Sequence, residues 1–278
     1  MHQHHAHHHH HDESGMADVL DLDAEVFGPY LDELTGWVAG HVPGDPRTIA
    51  DAGAGTGVGT VALARRFEHA RLVAIDRSPV VLDRLRAAAL RQGLTDRLRV
   101  VAADLDAAWP PIGPVDLVWA SSSLHHVEHP DRLLGDLRAA LGPDGLVVVV
   151  EMDGLPRFLP DDVGVGRPGL EARCHEVAAR AGWNAHPDWR PHLERAGFEV
   201  VGQRGFPVEV DPAPRAAARY ARTLLGALRS AHGDRLAADD RDALDRLLAD
   251  DTPESLSRRG DLAVRGSRTA WAARPSPA

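Results

Sequence analysis

Three acidic residues stand at the ends of three successive apolar runs in the first half of the chain. Asp51, Asp76 and Asp104 occupy this position in the segments TIADAG, LVAIDRS and VVAADLD. If these runs are parallel strands, their carboxyl ends meet at one edge of the sheet, where open α/β sheets bind ligands. There the Asp76 carboxylate would accept both hydroxyls of a ribose, and Asp104 would accept an exocyclic adenine amine. The spacing predicts a nucleotide-like ligand held by acids along that edge.

A glycine-rich segment, DAGAGTGVG at residues 51–59, connects the first apolar run to an amphipathic segment. Glycine is required where a strand turns sharply into a helix and a ligand lies against the backbone. Two patterns fit this loop. GVGTVA at residues 57–62 has the spacing of nicotinamide dinucleotide sites, with Asp76 about 20 residues further on, whereas DAGAGTG at residues 51–57 places an acid at the strand end. The acids after the second and third strands favour the latter pattern.

The chain around these residues alternates short apolar runs with longer amphipathic segments, which is the pattern of parallel strands joined by crossover helices. The predicted strands are residues 47–52, 71–75, 98–102, 115–120 and 146–151, followed by late strands at 198–206 and near 262–273. The predicted helices are residues 58–67, 79–92, 131–141, 168–181, 188–196, 214–231 and 239–250, and a Gly-Pro-Asp-Gly turn at 142–145 ends the third of them. This order predicts an α/β fold with the ligand edge in its first half.

Five consecutive segments between residues 48 and 151 carry a family resemblance: DAGAGTGVG, AIDRSP, AADLDAAWP, VDLVWASSSLHHV and LRAALGPDGLVVVVE. In this combination the chain resembles the class I S-adenosylmethionine-dependent methyltransferases. The resemblance implies a Rossmann-like, seven-stranded, mostly parallel sheet whose last strand is antiparallel, with helical lid insertions. It also implies S-adenosyl-L-methionine as the cofactor.

The resemblance further implies where each part of the cofactor lies. The glycine loop contacts the methionine end, the acid ending the second strand holds the ribose, and the acid after the third strand meets adenine. The cofactor-binding residues implied in this way are Asp51, Gly53, Gly55, Gly57, Asp76, Asp104, Leu105 and Ser121. No metal-binding residue is assigned.

The segment SSSLHHV after the fourth strand lies beside the reactive methyl group in proteins of this family. Methyl transfer is an in-line displacement in which alignment and exclusion of water supply much of the catalysis, and a base helps hydroxyl or carbon acceptors. His125 and His126 are the candidate bases. Alternating side-chain directions beyond the strand end predict that Ser122, Leu124 and His126 share one side. We therefore expect His126 to affect turnover more than its neighbour.

Four regions are predicted along the chain. Residues 1–15 form a His-rich tag or native tail, 16–45 an N-terminal helical cover, 46–152 the cofactor-binding core, and 153–278 the remainder of the core with a helical substrate lid. The helices of the second region, divided at Pro29, either pack on the core or cover the ligand. Residues 154–183 are a further lid candidate, although their arginines are more typical of solvated helix charge.

Composition excludes several classes of protein. All 31 basic residues are arginine, and without lysine there is no Walker-type phosphate loop and no pyridoxal Schiff base. Cys174 is the only cysteine, which excludes an intramolecular disulfide and a thiolate metal cage and favours a reducing cytoplasm. The net charge of −10 disfavours nucleic-acid binding. No apolar run approaches the roughly 20 residues that cross a bilayer, so we expect a cytoplasmic protein.

The leading hypothesis is a methyltransferase that acts on a small-molecule substrate, such as a specialised natural product. A nicotinamide-dependent oxidoreductase that uses residues 57–62, and a non-catalytic cofactor-binding regulator of the same fold, are the alternatives. The sequence predicts neither a nucleic-acid nor a membrane partner. It leaves the acceptor, the methylated atom and the oligomeric state unassigned.

Overall fold

A computed structural model describes residues 17–210 and 215–277 of the 278-residue chain. The His-rich segment 1–15 lies outside the described residues, as does Pro214 at the expected start of a helix. Within the described ranges, no helix is long and apolar enough to cross a membrane.

Seven strands form one sheet in the order β3-β2-β1-β4-β5-β7-β6. They are β1 (Thr48–Ala52), β2 (Arg71–Asp76), β3 (Leu98–Ala102), β4 (Val115–Ser121), β5 (Leu141–Met152), β6 (Phe198–Val210) and β7 (Val264–Pro275). The first five strands run parallel, and β7 is antiparallel to both β5 and β6. This topology confirms the predicted seven-stranded, mostly parallel sheet.

Helices cover both faces of the sheet, as crossover connections between parallel strands require. They are α1 (residues 17–27), α2 (Tyr30–Ala39), α3 (Val58–Arg66), α4 (Pro79–Arg91), α5 (Pro130–Ala140), α6 (Leu170–Arg180), α7 (Trp189–Arg195), α8 (Arg215–His232) and α9 (Ala238–Leu248). Each predicted helix and strand has a counterpart here, and Pro29 divides α1 from α2 as expected.

The start of β5 differs from the prediction. Residues 142–145 do not form a free turn but belong to the strand, which follows α5 directly. Leu141 pairs with Val115, and pairing resumes where Leu146 meets Leu117, so the intervening residues form a bulge. A bulge accommodates extra residues without ending the ladder, which is why glycine and proline here did not mark the end of regular structure.

Alternate side chains of the central strands enter two different cores, because successive strand residues point to opposite faces. On one face Leu117 and Trp119 pack in a cluster with residues of α2 and α3. On the other face Val118 packs in a cluster that includes Trp189 and Leu193 of α7. Burial on both faces explains the continuous apolar runs of these parallel strands.

A third core lies among the helices beyond the sheet. Helices α6, α8 and α9, here called the C-terminal helical layer, bury residues such as Cys174, Leu225 and Leu244 together. Val26 and Phe27 of α1 belong to the same cluster. The N-terminal helix therefore rests on the C-terminal helical layer, and the next helix, α2, rests on α3.

A substitution at Gly57, the glycine that precedes α3, tests how closely this turn packs against α4. Gly57 has a φ of 90°, and a Cβ there would lie 2.6 Å from Leu85 Cγ, whereas Gly44 has a φ of 76° with nothing within 4 Å. Both alanine variants bear the left-handed backbone, but only Gly57→Ala adds a clash. We expect Gly57→Ala to lower the free energy of unfolding by about 1–3 kcal/mol more than Gly44→Ala. Denaturant unfolding measures this difference, and equal losses would contradict the assigned packing.

Candidate functional site

A cavity of about 410 Å³ opens at the carboxyl edge of strands β1 to β4. This volume suits a small-molecule or cofactor site. The predicted site residues that line it are Asp51, Gly53, Gly55, Asp76, Asp104, Leu105, Ser121 and His126. Two predicted residues, Gly57 and His125, are not part of its wall. The three strand-terminal acids thus lie around one space, as their spacing predicted.

The glycine loop turns the chain from β1 into α3 through left-handed backbone. Gly53 and Gly55 have φ values of 79° and 53°, a region that glycine adopts without strain. The amides of Gly53 and Ala54 both donate to the carbonyl of Ile75 at 2.9 Å, which holds the loop against the end of β2.

The loop glycines were expected to make room for a ligand, but a Cβ added at these positions would contact protein atoms. An added methyl at Gly53 would lie 2.4 Å from Ser123 Cβ, and at Gly55 it would lie 3.2 Å from a Leu20 methyl. At Gly57 it would meet Leu85 of α4. Glycine is thus needed for protein packing at Gly53 and Gly57, and Gly57 is a folding residue outside the cavity.

Asp51 is a buried carboxylate at the floor of the cavity, with only 2% of its surface exposed. Its Oδ2 accepts a hydrogen bond of 2.6 Å from the Thr60 hydroxyl. Burial raises the pKa of Asp51 to about 7, the Thr60 hydrogen bond opposes this shift, and the Asp76 charge adds to it. Asp51 therefore titrates near neutral pH.

Asp76 ends β2 beside the glycine loop. Its Oδ2 accepts from the Gly55 amide at 2.9 Å and its Oδ1 from the Ser78 amide at 3.0 Å. These bonds fix the carboxylate in one orientation, and each carboxylate oxygen has a second lone pair for a ligand. Asp76 is thus a preorganised acceptor of two hydrogen bonds.

Asp104 and Leu105 form the far end of the cavity, beyond β3. Asp104 is exposed, and its Oδ1 accepts from the Asp106 amide at 3.0 Å. Leu105 is buried, and its carbonyl accepts from the guanidinium of Arg132. A polar acceptor beside an apolar surface suits a flat heterocycle with an exocyclic amine.

The chain after β4 is held to the end of β1. Ser122 has a φ of 50°, an uncommon value for a residue other than glycine, and its amide donates to Val150 at 2.8 Å. The Ser123 hydroxyl donates to the Ala52 carbonyl at 2.7 Å. This strained segment places Ser121 and Ser122 in the cavity wall.

The two histidines occupy different environments. Leu124–His126 form a 3₁₀ turn, which rotates the chain by a third of a turn per residue, so the predicted strand-like alternation is wrong. Leu124 is buried, whereas Ser122 and His126 line the cavity. Desolvation and the neighbouring His125 lower the pKa of His126. His126 is therefore a neutral imidazole at neutral pH.

His125 is hydrogen-bonded to Glu151, which is not among the predicted site residues. Its Nδ1 lies 2.8 Å from Oε2 of Glu151, and the Glu151 side chain is 1% exposed. The ring centroids of the two histidines are 4.0 Å apart. Glu151 comes near the end of β5, so the pattern of acids at strand ends would have identified it.

Three further residues of the cavity wall come from distant parts of the chain. Asp23 of α1 and Tyr30 of α2 meet Arg268 of β7, which donates to both of them. No local motif marks these residues, because they become neighbours only when the N-terminal helices fold over the last strand.

Of the two segments considered as a cover, residues 16–45 and 154–183, only the first contributes to the cavity wall among the described residues. Residues of α1 and α2, among them Leu20, Ala24 and Leu31, form its outer wall. Within residues 154–183, all of them described, none lines the cavity. The helices of the second predicted region are thus the cover, while the C-terminal helical layer lies behind it.

Known protein families match the part of the chain that forms this site. A family model for a methyltransferase domain matches residues 49–145. A malonyl-acyl-carrier-protein O-methyltransferase of Halorhodospira halophila is 35% identical over 134 residues, which are 48% of this chain and 44% of that protein. A trans-aconitate 2-methyltransferase of Rhodopseudomonas palustris is 34% identical over 143 residues, 49% of this chain and 52% of that protein. The chain spans about half the length of these relatives, or less.

Solved structures agree in fold over most of the chain. A protein of Bacillus halodurans described as a methyltransferase superposes with a TM-score of 0.55 at 18% identity, covering 89% of this chain and 99% of that one. The cyclase SpnF superposes with a TM-score of 0.52 at 21% identity, covering 89% and 82%. At such identities the likeness concerns the fold. Residues 49–145 thus match a methyltransferase domain on a Rossmann-like, class I type of fold, and the methyltransferases of this family use S-adenosylmethionine as methyl donor.

Proposed function

We propose that this protein transfers a methyl group from S-adenosylmethionine to a small-molecule acceptor. The observation that carries the proposal is a single cavity in which three strand-terminal acids and a neutral histidine face one another. The net charge of −10 argues against a nucleic-acid substrate.

The cavity offers matching groups for each part of the cofactor. Asp104 and Leu105 suit adenine, Asp76 suits the two ribose hydroxyls, and the loop at Gly53 and Gly55 suits the methionine end. The cofactor is cationic at its sulfonium, and a wall rich in carboxylates favours a cation. The spacing that suggested a nicotinamide dinucleotide has another explanation, since Gly59 lies within α3, where a Cβ would be 2.8 Å from the Trp119 indole nitrogen.

The bound cofactor supplies an electrophilic methyl group for in-line displacement. The protein's part is to align the acceptor, exclude water and, for a hydroxyl or enol, remove a proton. His126 is the proposed base, since its lowered pKa leaves a free imidazole nitrogen at neutral pH. The proton released by the acceptor passes to that nitrogen. His125, held by Glu151, positions the His126 ring.

The names of the relatives bear on the class of acceptor. One relative is named for a malonyl group carried on acyl-carrier protein and another for free trans-aconitate, so both carrier-bound and free acceptors occur among the relatives. We propose a small metabolite, with specialised natural products included in the class. Calorimetry with S-adenosylmethionine, S-adenosylhomocysteine and NAD tests the cofactor, and NAD binding alone would reject the proposal. An acceptor screen read by the mass of one added methyl group tests the reaction.

Asp76 provides a first test of the proposed cofactor site. Asp76→Asn keeps the shape of the side chain but removes the charge that strengthens two hydrogen bonds, each worth about 1.5–3 kcal/mol. We expect the affinity for S-adenosylhomocysteine to fall at least tenfold, measured by calorimetry on the folded variant. Asp83→Asn, an exposed change on the outer side of α4, is the control. Unchanged affinity in Asp76→Asn would remove this residue from the ribose site.

Asp51 predicts a pH dependence of cofactor binding. Its pKa of about 7 means that the carboxyl is neutral below pH 7 and negative above it. Because the negative form attracts the sulfonium, affinity for S-adenosylmethionine should rise severalfold between about pH 6 and 8. This rise should disappear in Asp51→Asn. The affinity for 5′-methylthioadenosine, which has no charge, should not depend on pH through Asp51. If the affinity of Asp51→Asn for S-adenosylmethionine still rose between about pH 6 and 8, the assignment would be wrong.

His126 provides the test of proton transfer. With a hydroxyl or enol acceptor, His126→Ala should lower kcat by roughly 10²–10⁴-fold, and the loss of activity towards acid pH should vanish. In the wild type that loss should lie below the usual histidine pKa near 6.5, because the pKa of His126 is lowered. With an amine acceptor the change should be small and independent of pH. His129→Ala, at an exposed position outside the cavity wall, is the matched control. If His125→Ala is the more damaging change, the assigned face is wrong.

A further inference from the structure

Arg268 is a buried cation in the cavity wall. It lies on β7, is 4% exposed, and its guanidinium stacks over the rings of Phe27 and Tyr30. Its Nε donates to the Tyr30 hydroxyl at 3.1 Å, and its Nη2 donates to Asp23. Burial alone would lower its pKa, but Asp23 and the two tyrosines more than compensate, so the pKa is raised and the guanidinium stays charged.

One end of this guanidinium is open. Nη1 of Arg268 has no hydrogen-bond partner among the described residues, although Nε and Nη2 each have one. It is also not among the side-chain atoms that are both sealed from solvent and unpaired. An ionised donor at nine-tenths burial is expensive to leave unpaired, so an open Nη1 on a cavity wall fits a ligand oxygen.

The neighbouring contacts locate this donor near the reacting end of the cavity. Tyr30 also lies close to Ser121 at the end of β4, and both residues line the cavity. Asp23 follows Leu20 by three residues on α1, and the Leu20 side chain packs against Gly55 of the glycine loop. Arg268 is thus linked to the glycine loop through Asp23 and Leu20 of α1, and to the end of β4 through Tyr30.

We propose that Arg268 binds the carboxylate of a ligand in this cavity. This inference rests on the proposed function and assigns a group that it leaves open. Two carboxylates are available there: the α-carboxylate of the cofactor's methionine, and a carboxylate of the acceptor. A planar guanidinium holds either one at Nη1 while Nη2 keeps Asp23.

Asp23 makes the methionine carboxylate the expected source. An amino acid carries an ammonium beside its carboxylate, and Asp23 beside Arg268 presents the complementary pair of charges. Asp23 also accepts from the Tyr220 hydroxyl at 3.0 Å, so its position is fixed from behind. An acceptor carboxylate without an ammonium group would also bind next to Asp23, and the two negative charges would repel each other.

The test compares two ligands that differ in the amino acid. S-adenosylhomocysteine carries it and 5′-methylthioadenosine lacks it. In Arg268→Gln we expect the first to bind at least tenfold more weakly and the second to bind as in the wild type. Arg204→Gln, an arginine exposed on β6 outside the cavity wall, should leave both affinities unchanged. Should Arg268→Gln fail to fold, Arg268→Lys keeps a positive charge beside Asp23 but removes the Nη1 donor, and it carries the same comparison.

A second titration distinguishes the acceptor as the source. Protein saturated with S-adenosylhomocysteine is titrated with malonate, and binding that is lost in Arg268→Gln while S-adenosylhomocysteine affinity stays constant assigns Arg268 to the acceptor. Equal weakening of both adenosyl ligands would overturn the proposal, as would unchanged S-adenosylhomocysteine affinity with no malonate difference. Failure of the wild type to bind either adenosyl ligand would overturn the proposed function, and this inference with it.

Discussion

The left-handed turn after β1 is the constraint on which the site depends. The amides of Gly53 and Ala54 converge on the Ile75 carbonyl, so the turn is fixed to β2. Ser123 packs against Gly53 and donates to Ala52, so the chain after β4 is fixed to the same turn. A side chain at Gly53 would separate these elements. The acids that follow the strands can face one cavity only because this turn is tight.

The electrostatics of the cavity follow from that arrangement. Asp76 is held by two amides and stays ready to accept hydrogen bonds, whereas Asp51 lies deeper and is neutral over part of the physiological range. His126 is pushed towards its neutral form by desolvation and by His125. A cationic ligand would therefore strengthen ionisation at Asp51 and leave the imidazole free to accept a proton. One region of the wall favours a cation, and a neighbouring residue favours proton removal.

The helices at the two ends of the chain have different structural roles. Helices α1 and α2 close the cavity, while the C-terminal helical layer supports α1 from behind through the cluster that contains Phe27 and Leu225. Arg268 joins these parts, since it lies on β7, pairs with Asp23 of α1 and lies over Tyr30 of α2. The cover is therefore coupled to the last strand of the sheet. The C-terminal helical layer stabilises the cover without lining the cavity.

The sequence by itself determined the sheet, the order of its elements and the acids at their ends. These features are local: an apolar run long enough for a strand, a glycine turn, and an acid that falls at the shared edge. Tertiary structure alone decided which glycine faces the cavity, because Leu85 next to Gly57 lies in a different helix. It also decided that His126 and not Leu124 faces the cavity, since a 3₁₀ turn replaced the extended chain. Asp23, Tyr30 and Arg268 carry no signal in the sequence, because contacts between segments more than two hundred residues apart depend on how whole layers pack.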